Sequence, residues 1–305
     1  MAAVSVENII MSYGKKKQKI NALSDISFSV AAGELFGIIG PDGAGKTSLF
    51  RILTTLLLAD SGQASVNGFD VVKDMKQIRK RIGYMPGRFS LYQDLTVEEN
   101  LHFFATIFQT SFSENYNLIK DIYVQIEPFK NRRAGQLSGG MKQKLALCCA
   151  LIHRPEVLFL DEPTTGVDAV SRKEFWDMLQ GLKKQGISIL VSTPYMDEAN
   201  ICDRVALLQK GKILSIDSPA GVIAHFKNPL VAVKAKQMLA LLEKIKTLDF
   251  VQDAYPFGEF HHVVLQNEKA VPSLEQELEA ADLGHITMHK VQANIEDCFI
   301  QLMKN

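Results

Sequence analysis

The sequence predicts an α/β domain with a largely parallel sheet, followed by a small α+β domain, and two observations support this prediction. Between Val4 and Phe226, short β-branched runs alternate with helical patterns, as they do where crossover helices join parallel strands. After Lys227 the pattern changes to strand, helix, two strands, helix, strand and a final helix. We therefore expect two domains, at residues 1–227 and 228–305.

Strands and helices alternate through the first predicted domain. Buried strands are expected at residues 34–40, 81–85, 157–161 and 187–193, and helices are expected to begin near Gly45, Thr96, Ser138 and Ala169. The start at Thr96 is the best marked, because the run T-V-E-E predicts a capping box between Thr96 and Glu99.

The second predicted domain has its own order of elements. Strands are expected at residues 230–236, 250–255, 260–266 and 285–291, with helices at 237–248, 273–281 and from 294. This β-α-β-β-α-β order predicts a small ferredoxin-like domain with one added helix.

Composition limits the classes of partner. Among 305 residues, 34 Lys and Arg balance 34 Asp and Glu, so no protein-wide field favours nucleic acid, and we expect no nucleic-acid partner. No apolar run approaches the roughly 20 residues of a membrane-spanning helix, and the N-terminus lacks the features of a secretory signal. We expect a cytoplasmic chain, with the basic cluster at residues 15–19 forming a solvated hairpin tip.

Cysteine and histidine spacing indicates packing rather than chemistry. His261 and His262 are adjacent on a predicted strand and so point to opposite faces, while His153 lies at a helix end, where a cation suits the helix dipole. No cysteine pair has metal-ligand spacing, and reduced thiols are expected at Cys148, Cys149, Cys202 and Cys298.

The strongest motif is G-P-D-G-A-G-K-T, which matches the phosphate-loop pattern G-x-x-x-x-G-K-[ST] between a predicted strand and a helix. Its glycines allow backbone amides to point at phosphate oxygens, Lys46 supplies a cation and Thr47 a magnesium ligand. The motif therefore predicts binding of a nucleotide polyphosphate with Mg²⁺. The predicted contacts are Gly40, Pro41, Asp42, Gly43, Ala44, Gly45, Lys46, Thr47 and Ser48.

Two carboxylates follow the buried run V-L-F-L, where parallel strands place their chemistry. Asp161 is the second predicted magnesium ligand, and Glu162 is the candidate catalytic base that orients or deprotonates the attacking water. A role for Asp161 as a cap of the following loop is the alternative.

A second anion site is indicated by L-S-G-G-M, which opens a helix with a serine and two unencumbered glycine amides. Taken alone, the run is more often an ordinary helix cap than an anion site. Its position, after the phosphate loop and about twenty residues before the carboxylates, favours a functional role for Ser138, Gly139, Gly140 and Met141.

With these motifs in order, residues 4–226 resemble the ATP-binding subunits of ABC transporters. The resemblance implies a P-loop NTPase core with an ABC helical subdomain. It implies that Tyr13 stacks on adenine, that Ser138 to Met141 form the signature, and that Asp168 ends the D-loop. It also implies that two such domains meet head to tail, as a homodimer or a heterodimer. Each ATP then lies between one chain's phosphate loop and the other's signature.

The resemblance further implies membrane-subunit partners and a location on the cytoplasmic face of the cell membrane. The stretch after Y-M-P resembles that of exporter-type subunits, beside the groove for a membrane-subunit helix. For Phe89 and Tyr92 two interpretations remain open, contact with that helix or packing in the subdomain core. The transported substrate is not encoded in this chain.

Two positions depart from the family pattern. Gly87 stands where the family has a glutamine that touches magnesium and the lytic water, and Pro194 stands where it has a histidine that contacts the γ-phosphate. Proline offers neither a side-chain donor nor a backbone N–H. Since losing one such donor typically slows turnover about a hundredfold to a thousandfold, we expect ATP binding with weak hydrolysis. A fully equipped partner subunit would use the signature of this chain.

The alternative function is that of a soluble ABC-type ATPase that acts as a mechanical switch on ribosomes or DNA. The second nucleotide domain of ribosomal members and the long coiled coil of DNA-bridging members are both missing from the sequence. A nucleotide kinase would keep the phosphate loop but would have no use for L-S-G-G-M.

Overall fold

The computed structural model describes residues 2–14, 19–281 and 283–304. The chain divides into two compact units, Met1–Pro219 and Ala220–Asn305. The predicted domain boundary between residues 227 and 228 stays a prediction. Residues 15–18 of the predicted basic hairpin tip lie outside the described residues.

A mainly parallel sheet forms the centre of the first unit. Its strand order is β10-β9-β3-β8-β7-β6, with parallel pairing from β9 to β6 and an antiparallel edge at β10. Its strands are β3 (Leu35–Ile39), β6 (Ile82–Met85), β7 (Val157–Asp161), β8 (Ser188–Thr193), β9 (Arg204–Gln209) and β10 (Lys212–Asp217). The four strands predicted for this domain are present, with ends shifted by at most one residue.

The register of this sheet brings three strand ends together. Ile39 lies opposite Thr193, and Asp161 lies opposite Ser192, so β3, β7 and β8 end at one edge. All side chains of these three strands are buried. The loops that follow these strands therefore start from a buried edge of the sheet. Open α/β sheets bind their ligands at this edge.

An antiparallel sheet in the same unit was not predicted from the sequence. Its strand order is β2-β1-β4-β5. Its strands are β1 (Ala2–Tyr13), β2 (Ile20–Ala31), β4 (Ser61–Val66) and β5 (Phe69–Asp70). The ring of Phe28 in β2 stacks on Phe36 in β3, with centroids 5.4 Å apart. A shared apolar core thus joins the two sheets and buries Leu49, Phe50, Ile52 and Leu53 of the helix after the phosphate loop.

The helices of the first unit are α1 (Lys46–Leu53), α2 (Met75–Arg81), α3 (Val97–Ile107), α4 (Tyr116–Tyr123), α5 (Gly139–Leu151) and α6 (Ala169–Lys184), and α7 (Pro219–Ala224) begins at the last residue of this unit. The predicted capping box is confirmed, because Thr96 accepts from the Glu99 amide and Glu99 accepts from the Thr96 amide. In the helical subdomain, rings of Phe112, Tyr116 and Tyr123 pack edge to face. None of the described helices is both long and apolar enough to cross a membrane.

The second unit contains an antiparallel sheet with the order β12-β13-β11-β14. Its elements are β11 (Leu230–Lys234), α8 (Met238–Lys246), β12 (Val251–Phe257), β13 (Phe260–Leu265), α9 (Ala270–Glu279), β14 (Thr287–Val291) and α10 (Ile295–Leu302). This is the β-α-β-β-α-β order with an added helix that the sequence predicted. Leu241 and Ile245 of α8 pack with Leu274 of α9 in a core shared with the sheet.

A buried carboxylate holds α10 in the second unit. Asp297 is 0% exposed and accepts from the Tyr255 hydroxyl at 2.9 Å and from His262 Nδ1 at 2.7 Å. It also completes a capping box with Asn294. Burial and the adjacent Asp297 raise the pKa of Tyr255. Phe257 stacks on His262, so aromatic packing shields the cluster.

We predict that Asp297→Ala destabilises the second unit. The change leaves two buried side-chain donors and one backbone amide unpaired, which should lower the free energy of unfolding by roughly 2–4 kcal/mol. Far-UV circular dichroism in urea should then show an earlier transition, whereas fluorescence of Trp176, the single tryptophan, reports on the first unit. Glu275→Ala, at an exposed position of α9, is the control and should leave both transitions in place. Equal transitions in the two variants would contradict a stabilising role for Asp297.

Candidate nucleotide-binding site

The predicted phosphate loop lies between β3 and α1. The Gly40 amide donates to the Thr193 carbonyl at 3.2 Å, which ties the loop to the end of β8. A Cβ at Gly40 would lie 2.1 Å from the Leu208 carbonyl oxygen, so only glycine fits there. Gly45 has φ +111° and precedes α1 without a side-chain cap, so the first amides of α1 keep their capacity to bind an anion.

Lys46 lies within the loop with its amino group surrounded by oxygens. It is 3% exposed, and Nζ donates to the Gly40 carbonyl at 2.7 Å and to the Pro41 carbonyl at 3.0 Å. Glu162 Oε1 is 3.0 Å from the same nitrogen. The cation predicted to bind phosphate and the predicted catalytic base therefore lie in direct contact.

The other predicted loop residues differ in exposure. Asp42 and Gly43 are exposed, and Ala44 is buried with its amide bound to the Pro41 carbonyl. Thr47 is half-buried in the first turn of α1.

Tyr13, predicted to stack on adenine, lies beside the first turn of α1. Its side chain is 40% exposed, and its hydroxyl is 3.0 Å from Ser48 Oγ. This contact brings the end of β1 to the phosphate loop and leaves one ring surface accessible for a planar ligand.

Asp161 and Glu162 are positioned by Ser192, a residue that the sequence analysis did not assign. The Ser192 hydroxyl donates to Asp161 Oδ1 at 2.7 Å and accepts from the Glu162 amide at 3.0 Å. The Ser192 carbonyl accepts from the same amide at 3.1 Å. Glu162 has φ +51°, an uncommon conformation for a residue with a Cβ, and these two bonds stabilise it. A signal was present in the sequence, since Ser192 is a polar residue in the apolar run I-L-V-S-T.

These residues fit a magnesium–nucleotide ligand. Oxygen donors of the kind that Mg²⁺ prefers, the Thr47 hydroxyl and the Asp161 carboxylate, belong to the elements that meet at this edge. The uncapped helix start, the glycine backbone and Lys46 together offer donors and positive charge to a polyphosphate. Elsewhere, the described residues contain no cluster of three His, Cys, Asp or Glu that could hold a metal ion.

Gly87 lies directly against the carboxylate strand. A Cβ built at Gly87 would be 3.0 Å from the Asp161 carbonyl oxygen and 3.8 Å from the Glu162 Cβ. Pro194 directly follows Thr193 at the end of β8. Both departures from the family pattern therefore border the residues that the sequence analysis assigned to magnesium and catalysis.

The predicted signature lies against the start of α6 rather than against the phosphate loop. Ser138 caps α5, with its hydroxyl accepting from the Met141 amide at 3.4 Å. A Cβ at Gly139 would be 3.4 Å from the Gly166 carbonyl, and one at Gly140 would be 2.7 Å from Ser171 Oγ. Within the described part of the chain, no hydrogen bond or ion pair joins this segment to residues 40–48.

Asp168 serves as a helix cap in this structure. Its carboxylate accepts from the Ser171 amide at 3.0 Å, and this backbone hydrogen bond lowers its pKa. The predicted nucleotide contact of Asp168 stays a prediction.

An apolar groove of about 410 Å³ opens between β6, α3 and α5. Phe89 lines it together with Phe104 and Phe108, whereas Tyr92 is 50% exposed and packs edge to face on Phe103. The His153 ring also lines the groove, stacks on Phe108 and binds the Ile82 carbonyl at 2.9 Å. Burial lowers the pKa of His153 and so disfavours the cation expected at this helix end, whereas the stacking on Phe108 agrees with the structural role that the sequence indicated.

Comparison with known proteins identifies similar chains. The family model described as ABC transporter matches residues 23–165. The probable multidrug ABC transporter ATP-binding protein YbhF of Escherichia coli is 38% identical over 286 residues, and the match covers 92% of this chain but 49% of that protein. The chain thus spans about half the length of that relative. The Nod factor export ATP-binding protein I of Paraburkholderia xenovorans is 32% identical over 307 residues, covering 99% of this chain and 97% of that protein.

A solved structure agrees with the fold of the first unit. The ATP-binding cassette MJ0796, described as a dimer in a post-hydrolysis state bound to ADP and Pi, superposes with a TM-score of 0.64. It is 25% identical in sequence, and the superposition covers 70% of this chain and 98% of that one.

We predict that Gly40→Ala weakens binding of a nucleoside triphosphate at least about tenfold, equivalent to about 1.4 kcal/mol. The added Cβ cannot coexist with the Leu208 carbonyl, so the loop must move, and stability should fall by roughly 1–3 kcal/mol. Equilibrium binding and thermal unfolding of the full chain measure both effects. Gly181→Ala, in α6 with no atom within 4 Å of the new Cβ, is the matched control and should bind normally. Normal binding by Gly40→Ala would show that this loop does not hold the phosphates.

Proposed function

This chain belongs to the exporter-type ATP-binding proteins of ABC transporters, and we propose that it is the motor subunit of an export complex and binds Mg-ATP at Lys46. The observation that carries the proposal is the meeting of the phosphate loop with Asp161 and Glu162, marked by the 3.0 Å contact between Lys46 Nζ and Glu162 Oε1. Lys46, which is proposed to bind phosphate, and Glu162, which is proposed to act on water, therefore lie together at the edge of the sheet where β3, β7 and β8 end.

Each residue has a distinct task in the proposed site. The amides of residues 40–48 and the amino group of Lys46 bind and orient the phosphates. Thr47 and Asp161 hold Mg²⁺, which when bound neutralises charge on the phosphate oxygens. Glu162 orients the attacking water and accepts its proton. Tyr13 provides a ring for the adenine base.

We infer that hydrolysis in this site is slow. Gly87 has no side chain to meet the water, and Pro194 has no donor for the γ-phosphate. The absence of one donor to the transition state typically lowers the rate of turnover by about a hundredfold to a thousandfold. The residues proposed to bind ATP before hydrolysis are all present.

The signature is proposed to act on a second nucleotide-binding subunit. Residues 138–141 open α5 beside Gly166 and Ser171, away from the chain's own phosphate loop, so their amides are suited to an ATP held by another chain. Head-to-tail pairing with a fully equipped subunit would combine that signature with a competent catalytic site. The dimeric state described for the cassette MJ0796 supports pairing of this kind.

Membrane subunits are the proposed partners at the groove. Its aromatic and aliphatic lining, which includes Phe89, Phe104 and Phe108, suits the apolar side of a short helix from such a subunit. This assembly would place the chain on the cytoplasmic face of the cell membrane. Relatives named for multidrug transport and for Nod factor export favour an exported small molecule, and the membrane subunits would select it.

We predict that the purified chain binds Mg-ATP, that Lys46→Ala abolishes this binding, and that single-turnover hydrolysis by the parent chain is slow. Gly87→Gln with Pro194→His should accelerate hydrolysis at least about tenfold, since two donors to the transition state return. Radiolabelled ATP with the protein in excess measures the rate.

Gly87→Ala is the matched control, because its Cβ meets Asp161 at the same 3.0 Å without adding a donor, and it should give no gain. If the parent chain alone turned over at about 1 s⁻¹ or faster, in the range of ordinary enzymes, Glu162 would suffice and the slow site would be refuted.

We predict that Ser138→Arg lowers steady-state ATP hydrolysis by the assembled complex at least about tenfold, because a bulky cation blocks the positive end of α5. The affinity of this chain for ATP should stay within about twofold, since the signature serves the other site. Ser273→Arg, at an exposed position in the second unit, is the control. Unchanged hydrolysis in Ser138→Arg would show that the complex does not use this signature.

A further inference from the structure

A buried carboxylate outside the predicted site joins two of its loops. Glu198 lies in the turn Met196–Ile201 that follows β8 and is 2% exposed. Its Oε2 accepts from the Thr193 hydroxyl and, at 3.2 Å, from the Thr164 hydroxyl. Removing a carboxylate from water is costly unless hydrogen bonds and a counter-charge compensate. Arg172 supplies that charge, with Nε 3.5 Å from Glu198 Oε1.

The first of the two hydroxyls belongs to the end of β8. The Thr193 carbonyl accepts from the Gly40 amide of the phosphate loop, and Thr193 directly follows Ser192, which holds Asp161 and Glu162. A movement of Thr193 would therefore displace both the phosphate loop and the carboxylates.

The second hydroxyl belongs to the loop after β7. Thr164 lies two residues after Glu162, and the Thr165 amide donates to the Glu162 carbonyl at 3.2 Å. One oxygen of Glu198 thus fixes the spacing between the loop that carries Glu162 and the strand end that carries Pro194.

Arg172 holds the intervening segment from the opposite side. Its guanidinium lies 4.4 Å from the centroid of the Tyr195 ring and binds Asp197 at 2.8 Å. The Tyr195 amide donates inward to Thr193 Oγ1 at 3.1 Å. Since Pro194 lacks a donor of its own, the position of this segment depends on these neighbouring contacts.

We propose that Glu198 is a positioning residue for ATP turnover. By holding Thr164 and Thr193 on one carboxylate oxygen, it sets where Glu162 stands relative to the phosphate loop. The inference rests on the proposed function, in which Glu162 acts on ATP bound at Lys46.

The test compares Glu198→Gln and Thr164→Val with the parent chain. The first variant keeps the side-chain volume but loses the charge beside Arg172, and the second removes one of the two hydroxyls. Asp177→Asn, which removes an exposed carboxylate from α6, the helix that carries Arg172, is the control. Single-turnover hydrolysis of radiolabelled ATP, Mg-ATP affinity and thermal unfolding are measured for each full-length chain, with Glu162→Gln giving the background rate.

The expected result is a loss of about 10- to 100-fold in hydrolysis rate for both variants, because small misplacements of catalytic groups have effects of this size. Mg-ATP affinity should stay within about twofold, since the ligands of the nucleotide are untouched, and Asp177→Asn should match the parent. The double variant should be no slower than the slower single variant, because both changes weaken the same hydrogen bond, between Thr164 and Glu198.

Rates equal to the parent in folded Glu198→Gln and Thr164→Val chains would overturn the inference. A double variant whose loss in hydrolysis rate equals the product of the two single losses would also overturn it. So would a parent hydrolysis rate no higher than that of Glu162→Gln. Failure of the proposed function is a separate outcome, recognised by Mg-ATP binding that does not depend on Lys46.

Discussion

Ser192 stands at the fully buried end of β8, and the geometry of the candidate site depends on its contacts. Its hydroxyl holds the Asp161 carboxylate, and its hydroxyl and carbonyl together hold the Glu162 amide. Parallel register places Asp161 opposite Ser192, so this contact follows from the sheet itself. The left-handed backbone of Glu162 then directs its carboxylate to Lys46.

Charges in the site are balanced over short distances. Lys46 and Asp161 are almost fully withdrawn from water, and each has hydrogen-bond partners that reduce the cost of burial. Outside this centre, Glu198 pairs with Arg172 of α6 and accepts from the hydroxyls of Thr164, after β7, and Thr193, at the end of β8. The site is therefore rigid where strands end, while the exposed residues Asp42 and Gly43 form its open side.

The second unit also contains a buried charge that hydrogen bonds compensate. Asp297 is fully buried and is compensated by Tyr255, His262 and the amide of Asn294. Since the helix cap and the buried hydrogen bonds use one carboxylate, α10 and the sheet are stabilised together. His262 contributes to this packing, in agreement with the structural role that the sequence indicated for it.

The sequence by itself determined the elements whose cause is local. The phosphate loop, the strand before Asp161, the capping box at Thr96 and the order of the second unit follow from spacing, periodicity and turn chemistry, which neighbouring residues decide. Family resemblance added Tyr13, which has no distinctive local pattern, and identified the anion site at Ser138 to Met141 as the signature.

Only the tertiary structure decided which distant residues meet. The antiparallel sheet pairs β1 with β4 across more than forty residues, and the contacts of Ser192 with Asp161 and of Glu198 with Thr164 cross about thirty. No local pattern encodes such pairings, because they depend on strand order and register. The position of Gly87 against Asp161 likewise required the parallel pairing of β6 with β7.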